Sequence, residues 1–210
     1  MFNHLKKSEI EQSLEFSLHS QGDKGSSHLY CKPVGSWIFE NQNWLEQMMV
    51  ARENSKEMYF ARFPPSLKSL KEYLDKGPIN NPSQILFVIL DNEQQLFGHF
   101  GFKLGEAKTI EVDNVLRIRN GHAGALSVGI DRLMSFLVAN HGCSEFSLKV
   151  LSTNNRAIRL YESLGFALDK EYFLKLERLE GDITSLIPCQ KLSSDVDAKM
   201  QIYKKKYLDS

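Results

Sequence analysis

The sequence has no excess of charge of either sign and no long hydrophobic run. Its 210 residues contain 26 lysines and arginines against 26 aspartates and glutamates, so the formal net charge is zero. Without a basic excess, the protein has no global field that would draw it to nucleic acid or to an anionic membrane. No stretch approaches the roughly 18 apolar residues that a membrane-spanning helix needs. The composition therefore predicts that a local site, and not the overall charge, selects the partner. Neither nucleic acid nor a membrane is expected as a partner.

Cysteine is also scarce. Cys31, Cys143 and Cys189 are scattered and odd in number, which favours a reducing compartment and argues against a disulfide framework. Cysteine and histidine show no metal-ligand spacing, so no metal is expected. The first residues lack the continuous apolar run of a secretory signal. From these absences we expect a cytoplasmic protein.

The length suits one well-buried core and is short for two full domains. We predict a lead-in at 1–35, either a hairpin or loosely ordered, a main domain at 36–192 and a helical C-terminal tail at 193–210. The helix in the tail is expected because Met200, Ile202 and Tyr203 lie among lysines, as in a surface helix packed on the body.

Helix and strand signals alternate along the main domain. Apolar stripes of helical period are predicted at four places: 41–55, 66–76, 126–140 and 154–164. Strand patterns are predicted at six places: 85–90, 96–102, 107–116, 145–151, 171–179 and 182–187. This order indicates a mixed α/β protein.

The most informative segment runs from residue 154 to 166, with the sequence NNRAIRLYESLGF. Asn154 suits a helix entrance, where its side chain can accept from free N–H groups, and Gly165 suits the left-handed residue that ends a helix. Tyr161 lies on the same stripe as Ala157, and a buried phenol needs a partner. Tyr161 therefore either hydrogen-bonds to a nearby backbone group or faces a ligand to which it can give a proton.

This segment resembles the last sequence block of the GNAT acyltransferase superfamily, Asn-x-x-Ala-x-x-Leu-Tyr-Glu-x-Leu-Gly-Phe, and every fixed position matches. The resemblance implies an α/β (α+β) fold: a mixed, mostly antiparallel central sheet with a splayed strand pair, and helices on both faces. It also implies acetyl-CoA (coenzyme A) as cofactor, with Asn154 and Ala157 helping to hold it and Tyr161 close to its sulfur.

The loop between the third strand of the main domain and the helix at 126–140 is a second candidate site. A strand, a small-residue loop and a helix N-terminus can bind an anion, because backbone N–H groups and the helix dipole converge there. An ordinary tight strand-to-helix turn is the alternative. The loop resembles the GNAT pyrophosphate block, although Ile118 stands where that block has a cation or an amide. The resemblance implies cofactor contacts from Val115, Arg117, Arg119, Asn120, Gly121, His122, Ala123, Gly124 and Ala125.

The start of this region is similar to one branch of the superfamily, which reads Asp-Asn-Val-x-Arg-Gly before a Pro-Gly turn. Asp113, Asn114, Val115 and Arg117 match it, whereas Ile118 replaces its glycine. That branch is associated with making amino sugars for surface polysaccharides. The similarity implies a small-molecule amine substrate, a nucleotide-linked amino sugar.

Acyl transfer to an amine needs a group that takes a proton from the amine and a group that stabilises the leaving thiolate. Tyr161 is the candidate acid. Glu111, Asp113 and His99 are candidate bases, because they lie on strands expected to border the cleft. Each is alternatively an ordinary strand residue, and no base is needed if the amine is already partly neutral.

Substrate contacts are expected from the first two helices and the segment between them. Arg52 and Asn54 are similar to the Trp-Arg-Asn run of ribosomal-protein and nucleotide-amino-sugar acetyltransferases, with Ala51 in the tryptophan position. Phe60 and the aromatic loop to Phe63 could stack on a sugar or a base, or fill the core, and His99 would border the acceptor.

Three functions are carried forward. The first is acetyl-CoA-dependent N-acetyl transfer to a small-molecule amine, an amino sugar. The second is acetylation of a peptide or protein of the ribosomal type. The third is non-catalytic binding of CoA, against which the intact Asn154 and Tyr161 count. The protein is expected to be a monomer or a homodimer.

Overall fold

The structure, a computed structural model, describes residues 2, 15–19, 26–62, 66–105, 109–179, 183–190 and 196–207. Within these ranges ten strands form a single sheet that carries four α-helices. The strands are β1 Glu15–His19, β2 Ser26–Pro33, β3 Ala61–Arg62, β4 Gln84–Asp91, β5 Leu96–Leu104, β6 Ile110–Arg117, β7 Glu145–Leu151, β8 Ala167–Arg178, β9 Thr184–Cys189 and β10 Ala198–Lys206. The helices are α1 Gln42–Asn54, α2 Leu67–Leu74, α3 Ala125–His141 and α4 Asn155–Ser163.

The strands are ordered β1-β2-β4-β5-β6-β7-β10-β8-β9-β3 across the sheet. Within the described residues, every neighbouring pair is antiparallel except β6 and β7, which are parallel. A parallel pair needs a crossover, and α3 supplies it. The predicted mixed, mostly antiparallel sheet is confirmed.

Local sequence signals set the helix boundaries. The side chain of Asn41 accepts a hydrogen bond from the backbone of Trp44 at 3.2 Å and begins α1. Ser66 and Ser69 form a reciprocal capping box at the start of α2. Gly142, with a φ of +62°, ends α3 in the left-handed conformation. The four predicted helices are confirmed.

Helices cover both faces of the sheet. β4 is buried on both sides, so its alternate residues enter two different cores. Phe87 packs in the core under α3 and α4, and Val88 packs in the core under α1 and α2. In α3, a Cβ on Gly129 would lie 3.1 Å from the ring of Phe100 and 3.2 Å from the sulfur of Cys31. Glycine at that position therefore lets α3 lie close to the sheet, which fixes where its N-terminus points.

The N-terminal lead-in shares strands with the central sheet. β1 and β2 pair as an antiparallel hairpin, and β2 also pairs with β4 from Leu29 to Pro33. Residues 26–33 are thus part of the same sheet as the predicted main domain. Residues 1, 3–14 and 20–25 of the lead-in lie outside the described residues.

The helix predicted for the tail at 193–210 is wrong within the described residues. Residues 198–206 form β10, which lies between β7 and β8 and pairs with both. Met200 and Ile202 alternate with Lys199 and Gln201, which is the period of a strand. Lysines of this strand form ion pairs with carboxylates on the sheet. For example, Lys204 Nζ lies 3.2 Å from Glu145 Oε1.

β6 and β7 separate along their length. Their pairing is limited to Ile110 with Phe146, Glu111 with Ser147, and Val112 with Leu148. Immediately after the last pair, β6 carries a bulge against β5, and Asn114 adopts a φ of +50°. The splayed strand pair predicted from the family resemblance is confirmed, and the gap between the strands is where the candidate site lies.

Candidate functional site

A cavity of about 490 Å³ opens where β6 and β7 part. Residues 112–117 of β6 form one wall, and the loop after β6 closes one end together with the start of α3. α4 and its N-cap contribute Asn154, Ala157, Leu160 and Tyr161. The end of α1 contributes Asn54, and the segment after it contributes Tyr59 and Phe60. The two sites predicted separately from sequence therefore share one cavity.

The loop end of the cavity offers unpaired backbone donors. Within the described part of the chain, the backbone N–H groups of residues 120–124 donate to no acceptor. Gly124 is the N-cap of α3, and no side chain of a described residue caps that helix. Positive φ values of 108°, 39° and 89° at Gly121, His122 and Gly124 curl the loop. These donors and the helix dipole point at the same space, which suits an anion.

The two arginines of this loop maintain its shape. Arg117 donates from Nε to the carbonyl of Arg119 at 3.0 Å and from Nη2 to the carbonyl of Gly121 at 3.2 Å. Arg119 donates from Nη1 to Gln95 at 2.6 Å. Both arginines line the cavity, as do Val115, Gly121, His122, Gly124 and Ala125, whereas Asn120 and Ala123 do not.

α4 brings a polar residue and a phenol into the cavity. The side chain of Asn154 accepts from the backbone N–H of Ala157 at 3.2 Å, so the predicted capping role is confirmed. Tyr161 is only 7% exposed and its ring contacts Phe166 edge to face. No described residue hydrogen-bonds its hydroxyl. Burial, with a smaller contribution from Asp113, raises the pKa of Tyr161, so the phenol stays protonated at neutral pH.

A polar cluster surrounds the bulge in β6. Asp113 lines the cavity, and its Oδ2 lies 2.5 Å from Lys103 Nζ. Asn114 donates from its side-chain amide to the same Asp113 oxygen at 2.8 Å and to the hydroxyl of Tyr73 at 2.6 Å. The ring of His99 makes a 2.7 Å hydrogen bond to the backbone carbonyl of Asn114 through Nδ1.

Other predicted residues lie away from the main cavity. Glu111 does not line it, and its carboxylate lies 2.8 Å from Lys149. His99 and Arg52 line a separate cavity of about 30 Å³ under α1 and α2. His99 is 6% exposed, and burial lowers its pKa to about 4. Because Nδ1 is already bonded, His99 is poorly placed to take a proton from a substrate in the main cavity.

Some of the residues predicted to contact the acceptor substrate line the main cavity. Asn54 and Phe60 line the main cavity, and Phe63 lies outside the described residues. Tyr59 also lines it and was missed, because its position depends on β3 pairing with the distant β9. Arg52 lies over the ring of Tyr59, with 3.9 Å between its Cζ and the ring centroid. Only the aromatic character of the segment after α1 could have indicated Tyr59.

Two other features are absent from the described residues, a metal-binding cluster and a membrane-spanning helix. No group of three His, Cys, Asp or Glu side chains is arranged to hold a metal ion there. In the same part of the chain, no helix is both long and apolar enough to span a membrane.

Comparison with known proteins gives the fold. No protein-family model matches the chain, and no curated protein matches it in sequence. A spermidine N-acetyltransferase from Vibrio cholerae, solved in complex with CoA and spermine, matches with a TM-score of 0.60 and 16% identity over 85% of this chain and 95% of that chain. A dodecameric structure of the Vibrio cholerae enzyme matches with a TM-score of 0.57 and 17% identity over 85% and 93%.

A domain from Methanocaldococcus jannaschii matches with a TM-score of 0.58 and 16% identity, covering 86% of this chain and 99% of that chain. Likeness at this level of identity establishes architecture rather than activity. The chain therefore has the GNAT fold that its sequence predicted, with its cavity at the splayed strand pair.

Proposed function

We propose that this protein is an acetyl-CoA-dependent N-acetyltransferase acting on a small-molecule amine. One observation carries the proposal: a single cavity joins an uncapped helix N-terminus with free N–H groups to a buried, protonated phenol. The first group suits a pyrophosphate and the second suits a leaving thiolate. The complex of the Vibrio cholerae enzyme with CoA, which has the same fold, supports this choice of cofactor.

The described residues fit the cofactor along its length. The donors at 120–124 would hold the pyrophosphate, and among the described residues a Cβ on Gly124 would meet no atom closer than Ser127 Oγ, at 3.7 Å. After Val112, the edge of β6 that faces β7 pairs with no other described strand. An extended amide-containing arm could pair with that edge as an added strand. Asn154 and Ala157 would border the arm from α4.

Bound acetyl-CoA supplies the thioester whose carbonyl carbon the amine attacks. The C–N bond forms as the C–S bond breaks, and the departing sulfur takes the proton that Tyr161 holds. The proton lost by the amine goes to Asp113, directly or through water. Asp113 is preferred to Glu111 because, of the two carboxylates, only Asp113 lines the cavity.

For the acceptor, we propose the amine of an amino sugar, in nucleotide-linked form. Asp113 is the only carboxylate among the described residues that line the cavity, and Lys103 already pairs with it. Arg117, Arg119, Lys149 and Arg156 also line the cavity. Arg117 and Arg119 lie at the loop end assigned to the cofactor. For a polycation, the described residues of the cavity therefore offer one carboxylate, Asp113, which Lys103 already neutralises. Tyr59 and Phe60 supply flat faces against which a sugar or base could pack.

The proposal is tested by measuring thiol release from acetyl-CoA with a panel of acceptors. The panel contains amino sugars, their nucleotide conjugates, spermidine and amine-bearing peptides. We expect turnover with at least one sugar amine and a higher kcat/KM for its nucleotide conjugate. Turnover restricted to spermidine or to peptides would refute the amino sugar as acceptor and would leave the proposed acetyl transfer standing. No transfer to any amine, with acetyl-CoA bound, would favour a CoA-binding module.

A further inference from the structure

We infer that His99 is a positioning residue: through its hydrogen bond to the Asn114 carbonyl, it fixes the bulge of β6 that forms a wall of the cavity. The inference rests on the proposed acetyl transfer, because the bulge lies beside the space assigned to the reacting groups. His99 itself does not line that cavity. It would act on the reaction only through the backbone that it holds.

The bulge is a real departure from strand geometry. Between His99 and Gly101 of β5, the pairing with β6 jumps from Leu116 to Asp113, so β6 has one residue more than β5. Asn114 lies in this bulge, and its backbone adopts the left-handed conformation with a φ of +50°. Asparagine tolerates this region better than other non-glycine residues, and contacts at both its carbonyl and its side chain hold Asn114 there.

His99 provides the first of these contacts. A carbonyl oxygen can only accept, so the 2.7 Å bond to Asn114 requires a proton on Nδ1. Because the buried ring is neutral at pH 7, Nε2 then has no proton. The ring is buried, so water competes little for this bond. Backbones are close on both sides of His99: a Cβ on Gly98 would lie 2.7 Å from the carbonyl of Leu116, and one on Gly101 would lie 2.8 Å from the carbonyl of Ile85.

The side chain of Asn114 provides the second contact. Its amide nitrogen has two hydrogens, and it donates to Tyr73 of α2 at 2.6 Å and to Asp113 at 2.8 Å. The bulge is thus held at its carbonyl by β5 and at its side chain by α2. Since Asp113 to Leu116 all line the cavity, a loosened bulge would displace the wall next to the thioester. A misplacement of about 1 Å can cost about 10²-fold in rate.

Three substitutions of His99 test the inference. In His99→Asn the amide nitrogen is one bond from Cγ, as Nδ1 is, so the donor to Asn114 is kept. In His99→Gln the amide nitrogen lies farther out, near the position of Nε2, and His99→Leu has no donor. We expect His99→Asn to keep kcat within about threefold, and the other two to lose about 10²-fold in kcat with KM for acetyl-CoA changed less than about threefold.

Two further measurements separate positioning from folding. Thermal unfolding of each variant sets an assay temperature at which all are folded, and nitrogen-15 NMR of the imidazole reports its tautomer. We expect the neutral Nδ1–H form in the unsubstituted protein. Equal kcat in His99→Asn and His99→Leu, or an Nε2–H tautomer, would overturn the inference. If the unsubstituted protein transfers acetyl to no amine, the proposed function fails, whereas an Nδ1–H tautomer would still support the contact to the bulge.

Discussion

Val112 and Leu148 form the last pair between β6 and β7, and the two strands diverge from that point. β7 continues to pair with β10 on its other side, so the divergence leaves β6 with a free edge toward the cavity. The free edge leads to the loop whose N–H groups are also free. Among the described residues, the cavity therefore offers unpaired backbone groups at two places, the edge of β6 after Val112 and the loop at 120–124.

Gly124→Ala is expected to weaken acetyl-CoA binding by at least about tenfold, because it adds a methyl group to the loop proposed to hold the pyrophosphate and strains the positive φ of 89° at that position. The matched control is Gly142→Ala at the other end of α3. Gly142 also has a positive φ, and no atom of the described residues lies within 4 Å of the added Cβ. Gly124, with φ +89° and ψ −6°, lies farther from the left-handed helical region than Gly142, with φ +62° and ψ +31°. Isothermal titration calorimetry measures the affinity of each variant for acetyl-CoA. Equal affinities would show that the pyrophosphate does not bind at this loop.

Tyr161→Phe should lower kcat by about 10²- to 10⁴-fold, because it removes the proton offered to the leaving thiolate and keeps the ring. Tyr203→Phe serves as the control, since Tyr203 is buried in the same core and does not line the cavity. Steady-state assays, with circular dichroism to verify folding, make the comparison. Equal turnover in the two variants would reduce Tyr161 to a packing residue.

Asp113→Asn should reduce kcat/KM by about 10²-fold if its carboxylate receives the proton from the amine. Glu111→Gln should change kcat/KM by less than about threefold, because Glu111 is bonded to Lys149 and does not line the cavity. Both substitutions replace a carboxylate with an amide of the same shape on the same strand. The reverse order of effects would show that the base has been assigned to the wrong residue.

Stability should fall between about pH 6.5 and pH 4, since burial lowers the pKa of His99 to about 4 in the folded protein. The ordinary histidine pKa is about 6.5, so below that pH the unfolded chain binds a proton that the folded protein does not take up until near pH 4. His99 alone should cost about 2 kcal/mol between pH 7 and pH 5. Urea unfolding at the two pH values measures the loss, and His99→Asn should abolish that part of it. An identical loss in the variant would contradict the assignment.

Removal of residues 198–210 should prevent stable folding, because β10 lies inside the sheet and its loss would leave β7 and β8 each with an unpaired edge. Removal of 208–210 alone leaves β10 intact and is the control. Circular dichroism and thermal unfolding distinguish the two outcomes. A cooperative transition in the longer deletion would mean that the segment is dispensable, as a surface helix would be.

Much of the fold could be predicted because local chemistry determines it. Asn41, Ser66 and Asn154 each begin a helix with a side chain that accepts a backbone N–H, and this depends only on residues three positions away. The helix predicted for the tail is wrong because its true structure depends on distant residues. Whether 198–206 pairs as a strand depends on the edges of β7 and β8, which lie far away in the sequence.

The candidate site divides in the same way. The small-residue loop before α3 and the stripe that carries Asn154 and Tyr161 can be recognised in the sequence, because glycine content and helical period are local properties. The folded chain was needed to show that Asp113 lines the cavity and Glu111 does not, although each pairs with a lysine. It was also needed to show that His99 hydrogen-bonds to Asn114 on the neighbouring strand. These outcomes depend on one extra residue in the register of β6 against β5, since a bulge changes which side chains face which neighbour and no local pattern encodes it.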